Sequence, residues 1–219
     1  MEKKELGNYV YFLLALLVAA FVFTFGILMG IFIENARANF AQENFAQLEV
    51  ELLDARLLSD LITNTDCETA IQENTDFADR VFFESLILDD YQESAEISET
   101  IKIQHEKYDL LRSMIWLNSI KIKEKCGANY HNVVYIYQFD NPGINKKAEQ
   151  ETISNILIDL KNEKKQDILL ISIAGDTNLP SIELLKKKYD ITYLPTVIID
   201  ENIKIENIED LDKIGDYVK

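Results

Sequence analysis

Residues 9–33 contain no charged side chain, and this run constrains the chain more than any other feature. An α-helix rises about 1.5 Å per residue, so a helix over the run would be about 37 Å long. That length crosses a hydrocarbon core of about 30 Å with some tilt. Helix is the required conformation because lipid offers backbone polar groups no hydrogen-bonding partner. We therefore predict that residues 9–33 form a transmembrane helix in contact with membrane lipid, preceded by a short tail, residues 1–8.

A cleavable signal peptide is the alternative interpretation of this run. Ala36, Arg37 and Ala38 resemble the small-x-small sequence at which signal peptidases cut. The apolar region of a signal peptide is usually about 7–15 residues long, however, and the run here is much longer. The length therefore favours a retained anchor, although cleavage of the span remains open.

Positive charges near the two ends of the span predict its orientation. Lys3 and Lys4 precede the span, whereas Arg37 is alone in following it closely. The positive-inside rule then places the N-terminus in the cytoplasm and residues 34–219 outside it, on a single-pass protein of the cell membrane.

Gly26 and Gly30 form a pair of small residues one helical turn apart within the span. Such a pair allows two membrane helices to pack closely. One interpretation is therefore that the chain forms a homodimer through Gly26 and Gly30. The alternative is that glycine is simply common in membrane helices.

The overall charge argues against nucleic acid as a partner. The chain has 22 Lys and Arg residues against 38 Asp and Glu residues, a formal net charge of -16, which repels phosphate backbones. The chain has only two Cys and two His as candidate zinc ligands, and it contains no glycine-rich phosphate loop. We therefore expect no metal, no cofactor and no catalytic residues of a recognisable hydrolase type.

Residues 34–127 lack the residues that usually interrupt helices. No Pro precedes Pro142, and no Gly occurs between Gly30 and Gly127. We predict a bundle of three amphipathic helices, broken at 64–66 and ended by Gly127. Its apolar positions are Phe45, Leu48, Leu52, Leu53, Leu57, Leu61 and Ile62, then Ile71, Phe77, Val81, Phe82 and Leu86, then Ile97, Ile101, Tyr108, Leu111, Ile115 and Ile122. On the third helix, His105 is expected at the surface and Trp116 in the core.

The up-down-up order of this bundle places both cysteines at the same end. Cys67 follows the first helix and Cys126 ends the third, so their Cα atoms could approach the roughly 5–6 Å that a disulfide requires. We predict a structural disulfide between Cys67 and Cys126, which an extracytoplasmic location would preserve. A redox-active pair and two free thiols remain as alternatives, although the pair lacks the Cys-x-x-Cys spacing of redox motifs.

Residues 128–219 change from long helices to alternating strands and helices in the order βαβαββα. Apolar and β-branched runs predict strands at 133–139, 167–174, 196–199 and 202–205, and helical periods predict helices at 146–162, from Pro180 onward, and at 207–217. Strands joined through helices are expected to be parallel. The short connection at 200–202 predicts an antiparallel last pair.

The segment 189–199, with Leu194, Pro195 and Thr196 opening an apolar strand, together with the order of elements, resembles the thioredoxin superfamily. The resemblance covers roughly the last 90 residues of the chain. It implies an α/β thioredoxin-like sandwich, following the transmembrane helix and an extramembrane helical bundle, and a cis peptide bond between Leu194 and Pro195.

The chain departs from the family where the chemistry would occur. Pro142, Gly143, Ile144 and Asn145 occupy the position of the family's Cys-x-x-Cys motif, so the thiolate nucleophile is missing. The family's buried acid would fall at Ile136, which cannot relay a proton. The resemblance therefore implies a redox-inactive domain.

The family's peptide-binding surface would remain, formed here by Pro142, Gly143, Ile144, Leu194 and Pro195. We therefore expect a membrane-anchored, extracytoplasmic module that binds a protein or peptide partner, as a chaperone or assembly factor. Two alternatives remain: a thiol–disulfide oxidoreductase that uses Cys67 and Cys126, and a purely structural subunit of an envelope complex. If this surface binds no partner, Pro142 and Gly143 only form a turn, and Pro195 only shapes the entry to a strand.

Overall fold

The computed structural model describes residues 2–62, 64–92, 99–211 and 213–218. These residues divide into two compact units, one up to residue 47 and one from residue 48 onward. The chain is rich in helix, with one small mixed sheet of four strands.

The first unit consists of helix, as part of α1, Glu2–Leu61. Within it, Tyr11–Ile33 has a mean hydropathy of 2.7, and its side chains are exposed. This segment is long and apolar enough to cross a membrane, as predicted. A Cβ added at Gly26 or at Gly30 would meet nothing within 4 Å, so both positions are open to close packing.

The second unit begins with a bundle of three helices, formed by the end of α1, by α2, Cys67–Gln92, and by α3, Glu99–Cys126. Asp66 caps α2, because its Oδ1 accepts the Thr69 N–H at 3.0 Å. The break predicted at 64–66 is therefore confirmed. The buried side chains of the bundle include Leu48, Ala55, Ile62, Phe77, Val81, Tyr108, Leu111, Ile115, Trp116 and Ile122.

The predicted apolar face of α1 was wrong in part. Leu53, Leu57 and Leu61 are exposed, whereas Leu48 and Ile62 are buried. Each helical residue turns the chain by about 100°, so Leu53, Leu57 and Leu61 form a separate stripe beside the buried one. Four further predicted core positions lie outside the side chains that the structure describes: Phe45, Leu86, Ile97 and Ile101.

The two cysteines meet at one end of this bundle, as predicted from the helix order. Cys67 begins α2 and Cys126 ends α3. Their sulfur atoms are 2.08 Å apart and their Cα atoms 5.4 Å apart, which is disulfide-bonding distance.

Replacing both cysteines by serine is expected to destabilise the second unit by about 4 kcal/mol, because the bond closes a loop of about 60 residues in the unfolded chain. Urea unfolding of the full chain in detergent micelles, followed by the fluorescence of its single Trp, measures this loss. Mass analysis after alkylation without reductant provides the control. Two thiols that alkylate before reduction would show that the bond does not form.

The sheet follows the bundle directly. Its strands are β1, His131–Tyr137, β2, Ile168–Ala174, β3, Thr196–Ile199, and β4, Ile203–Ile205, in the spatial order β2-β1-β3-β4. The connecting helices are α4, Ile144–Lys164, which ends in a 3₁₀ turn at Lys165–Asp167, and α5, Pro180–Lys188. The helix predicted at 207–217 is instead two short helices, α6, Ile208–Leu211, and α7, Ile214–Tyr217.

The direction of β3 corrects one expectation. β1 and β2 are parallel, as predicted, but β3 runs antiparallel to β1 although a helix precedes it. The short helix α5 and the following segment, 189–195, return the chain to the end of the sheet at which β2 finished. β3 therefore begins beside Ile136, near the C-terminal end of β1. The last pair, β3 and β4, is antiparallel as predicted.

The sheet separates two buried layers. Val134 and Ile136 of β1 face the core shared with the helical bundle, and Val133 and Tyr135 face the core beneath α4. This alternation is the period of two that a strand buried on both faces imposes. The bundle and one face of the sheet therefore share a continuous core.

The turn between β3 and β4 is fastened to α3 by charge. The Asp200 carboxylate accepts hydrogen bonds from Lys123, from His131 and from the Asn132 backbone N–H. Burial raises the pKa of Asp200, but these three donors outweigh burial, and the pKa lies below its ordinary value.

The neighbouring Glu201 ties Trp116 to the same turn. Its Oε1 accepts the indole N–H of Trp116 at 2.7 Å and an amide N–H of Asn132 at 2.9 Å. Trp116 is fully buried, so the prediction that it belongs to the core is confirmed.

Asp200→Asn is expected to cost about 1–3 kcal/mol of stability at pH 7, the usual value of hydrogen bonds to a charged group. A carboxyl whose folded pKa is lowered contributes stability above its unfolded pKa of about 4 and loses it as the pH falls further. The difference between wild type and variant should therefore shrink as the pH falls below about 4 and through the lower pKa of the folded state. Urea unfolding at pH 7 and at a series of pH values below 4 measures it.

Asp190→Asn is the matched control. Asp200 and Asp190 both have a positive φ, 47° and 52°, but the side chain of Asp190 is 89% exposed. Asn tolerates this backbone conformation, so the control should change stability by less than about 0.5 kcal/mol. A pH-independent difference for Asp200→Asn would contradict the role assigned to its charge.

Candidate ligand-binding site

The predicted contact residues before α4 lie on an exposed loop. Gly143 precedes α4, and Ile144, its first residue, is 90% exposed. Asp176 anchors the loop. Its two carboxylate oxygens accept hydrogen bonds from the backbone N–H groups of Phe139 and Asp140, at 2.9 and 2.7 Å. Ile144 is thus an exposed apolar side chain at the end of an anchored loop.

The predicted contact residues before β3 face inward instead. The peptide bond between Leu194 and Pro195 is cis, as predicted. A Cβ added at Gly175 would lie 2.9 Å from the Leu194 Cδ2 and 2.7 Å from the Ile136 Cγ2. The side chain of Leu194 therefore packs over Gly175, and Pro195 is buried.

Tyr193, from the segment before β3, contacts side chains in the first two turns of α4. Lys146 Nζ lies 5.5 Å from the centroid of the Tyr193 ring, and the Tyr193 hydroxyl lies 3.5 Å from Glu149 Oε2. We call Gly143, Ile144, Lys146 and Tyr193 the loop surface. Of the five predicted contact residues, it includes Gly143 and Ile144.

Gly175→Ala is expected to destabilise the second unit by about 1–3 kcal/mol, because the new methyl group overlaps Ile136 and Leu194 in a packed core. Gly143→Ala is the matched control, since a Cβ there meets nothing within 4 Å and its φ is -58°. Thermal unfolding of both variants measures the difference. Equal stability of the two would mean that Leu194 does not pack as described.

A cavity of about 400 Å³ lies beside the loop surface, on the face of the sheet that α4 covers. Its walls come from α2, α3, β1, β2, α4 and the loop between β1 and α4. Most of the surface area that lines the cavity is apolar. The apolar lining residues include Phe82, Tyr135, Phe139, Pro142, Leu157, Ile158 and Leu170. Of the predicted contact residues, Pro142 alone lines it. Lys147 and Glu151 are exposed and mark its opening.

Polar side chains of α3 reach the cavity, and His105 is one of them. The expectation that His105 is a surface residue was wrong, since it is 5% exposed. Its Nδ1 lies 3.0 Å from Asp109 Oδ2, its Nε2 lies 2.9 Å from the Tyr137 hydroxyl, and its ring stacks on Phe139 at 3.7 Å. These contacts satisfy both ring nitrogens, which is why the ring can be buried.

Asp109 is fully buried and holds this group in place. Besides the contact with His105, its Oδ1 accepts the Ala174 backbone N–H at 3.1 Å. Arg112 Nη1 lies 3.7 Å from the same Oδ1. The spacing of His105, Asp109 and Arg112 by four and three residues places them on one face of α3, a signal that the sequence contains.

Tyr135 contributes a neutral aromatic wall. Burial, followed by the charge of Glu149, raises its pKa well above the ordinary value for tyrosine. Its hydroxyl donates to the Gln150 carbonyl at 3.2 Å. The ring therefore offers the cavity an apolar face without negative charge.

The described part of the chain offers no cluster of side chains that could bind a metal ion. No group of three or more His, Cys, Asp or Glu side chains there is arranged to hold a metal ion.

No known protein-family model, curated protein or solved structure matches the chain.

Proposed function

We propose that this protein is a membrane-anchored, redox-inactive, thioredoxin-like module that binds polypeptide outside the cytoplasm. The anchor is residues 9–33, with the N-terminus cytoplasmic, and the binding site is the loop surface. The 90% exposure of Ile144, two residues before the Lys146 that lies over the Tyr193 ring, carries the proposal, because a large apolar side chain held open on an anchored loop suits contact with a partner.

The thioredoxin-like assignment draws support from the sheet. Its order β2-β1-β3-β4, the parallel pair β1 and β2, the antiparallel β3 and β4, and the cis bond before Pro195 are consistent with the resemblance noted in the sequence. By that resemblance, the loop surface would correspond to the region at which thioredoxin relatives meet extended peptides.

Redox inactivity draws support from the sulfur atoms. The segment 142–145 contains no Cys, and the chain's two cysteines lie at bonding distance from one another. Ile136, at the position of the family's buried acid, is itself a buried apolar residue. A thiol–disulfide oxidoreductase would have to use the Cys67–Cys126 pair instead, and a reduction potential above about -200 mV would favour it.

Ile144→Asp tests the proposal. Burying an isoleucine side chain contributes about 1.5–3 kcal/mol, so its replacement by a charge should weaken binding by at least about tenfold. The probe is fluorescent, reduced and carboxymethylated lactalbumin, a permanently unfolded polypeptide, and its anisotropy is titrated with the full chain in lipid nanodiscs.

Leu184→Asp is the matched control, because Leu184 is 67% exposed on α5 and is not part of the loop surface. It should bind the probe as the wild type does. Equal loss in both variants, or no binding by the wild type, would refute the loop surface as the binding site. Catalytic reduction of insulin disulfides by the wild type would favour the oxidoreductase instead.

A further inference from the structure

We propose that the cavity beside α4 binds an apolar carboxylate whose head group pairs with Arg112. This site is separate from the loop surface, and it does not depend on the function proposed for that surface. The proposal rests on three observations: the hydrogen bonding of the Arg112 guanidinium, the residues that line the cavity, and the volume of the cavity.

Arg112 is buried and, among the described residues, lacks the hydrogen bonds that a buried guanidinium normally makes. Its side chain is 10% exposed and lines the cavity. Its ionic contact is with Asp109 Oδ1 at 3.7 Å, which is too long for a hydrogen bond, and its guanidinium lies 5.7 Å from the Tyr108 ring. Arg112 makes no hydrogen bond within the described part of the chain.

Asp109 accepts none of those bonds, because its Oδ1 lies 3.7 Å from Arg112 Nη1. Each of its carboxylate oxygens already has a nearer partner, Oδ1 the Ala174 N–H and Oδ2 the His105 ring. The N–H groups of Arg112 therefore stay available to a second anion. A guanidinium matches a carboxylate in particular, because its planar fork gives two parallel N–H···O bonds.

Ser172 offers a further donor at the same place. It lies on β2 and lines the cavity together with Arg112 and Ser85. A smaller pocket, lined by the same three residues, adjoins them. The Ser85 hydroxyl already donates to the Phe82 carbonyl at 2.7 Å, whereas that of Ser172 has no hydrogen bond within the described residues. Arg112 and Ser172, which make no hydrogen bond within the described residues, thus line both pockets together.

The rest of the cavity is suited to an apolar body. Phe82, Leu157, Ile158 and Leu170 line it, together with Arg112 and with the exposed Lys147. A water-sized group occupies about 30 Å³, so a cavity of about 400 Å³ accommodates about a dozen non-hydrogen atoms. An apolar carboxylate of that size has two sources, a medium-chain fatty acid and the C-terminal residue of a polypeptide.

Two probes of about a dozen non-hydrogen atoms represent these sources. Decanoate stands for the fatty acid and N-acetyl-leucinate for the polypeptide terminus. Decanol and N-acetyl-leucinamide are their uncharged counterparts. Each is titrated by calorimetry into the full chain in lipid nanodiscs, with empty nanodiscs as the reference for partitioning into lipid. We expect saturable binding of at least one carboxylate and at least tenfold weaker binding of its neutral counterpart.

Arg112→Gln is expected to weaken binding of that carboxylate at least tenfold and to leave binding of the neutral counterpart unchanged. Arg80→Gln is the matched control, since Arg80 lies over the Phe77 ring and does not line the cavity. Ser154→Phe fills the cavity from α4, whereas Asp109 and Arg112 belong to α3. This variant should block both probes even where Arg112→Gln fails to fold.

Each outcome decides the question. Binding of decanoate alone supports the site with a fatty acid as the ligand, and binding of N-acetyl-leucinate alone supports it with a polypeptide terminus. The proposal is overturned when neither carboxylate binds the wild type. Equal affinity for the neutral counterpart, undiminished binding by folded Arg112→Gln, or undiminished binding by Ser154→Phe overturns it as well.

Discussion

The carboxylate of Asp109, which has no exposed surface, joins α3 to the end of β2. A buried charge is costly unless hydrogen bonds and an opposite charge surround it. Asp109 meets that need with the Ala174 N–H, with His105 and with the nearby Arg112. The same contacts fix α3 across the sheet and aim two of its polar side chains at the cavity. The Asp109 carboxylate therefore connects the bundle, the sheet and the candidate site.

Features set by local sequence were predictable. The uncharged run 9–33 and the cap at 64–66 each depend on residues close together in the chain. The meeting of Cys67 and Cys126 followed from the order of the helices. In these cases a short stretch of chain, or a simple count of helices, is enough to define the geometry. The cis bond before Pro195 was expected from the family resemblance instead.

Features set by packing between distant segments were not predictable. The stripe through Leu57 has the same helical period as the buried stripe beside it, and only the position of the partner helices distinguishes them. His105 is buried because Tyr137 and Phe139, more than thirty residues later, approach it in space. The cavity at Arg112 is assembled from six parts of the chain, and no spacing in the sequence describes an empty volume.

The position of β1 limits how this chain can change. β1 is flanked by β2 and β3, and its successive side chains alternate between two cores. One residue inserted or deleted within β1 would exchange those faces, moving the bulky Tyr135 towards the bundle and Ile136 towards α4. Length variation among descendants of this chain should therefore accumulate in its connections, while the seven residues of β1 keep their number.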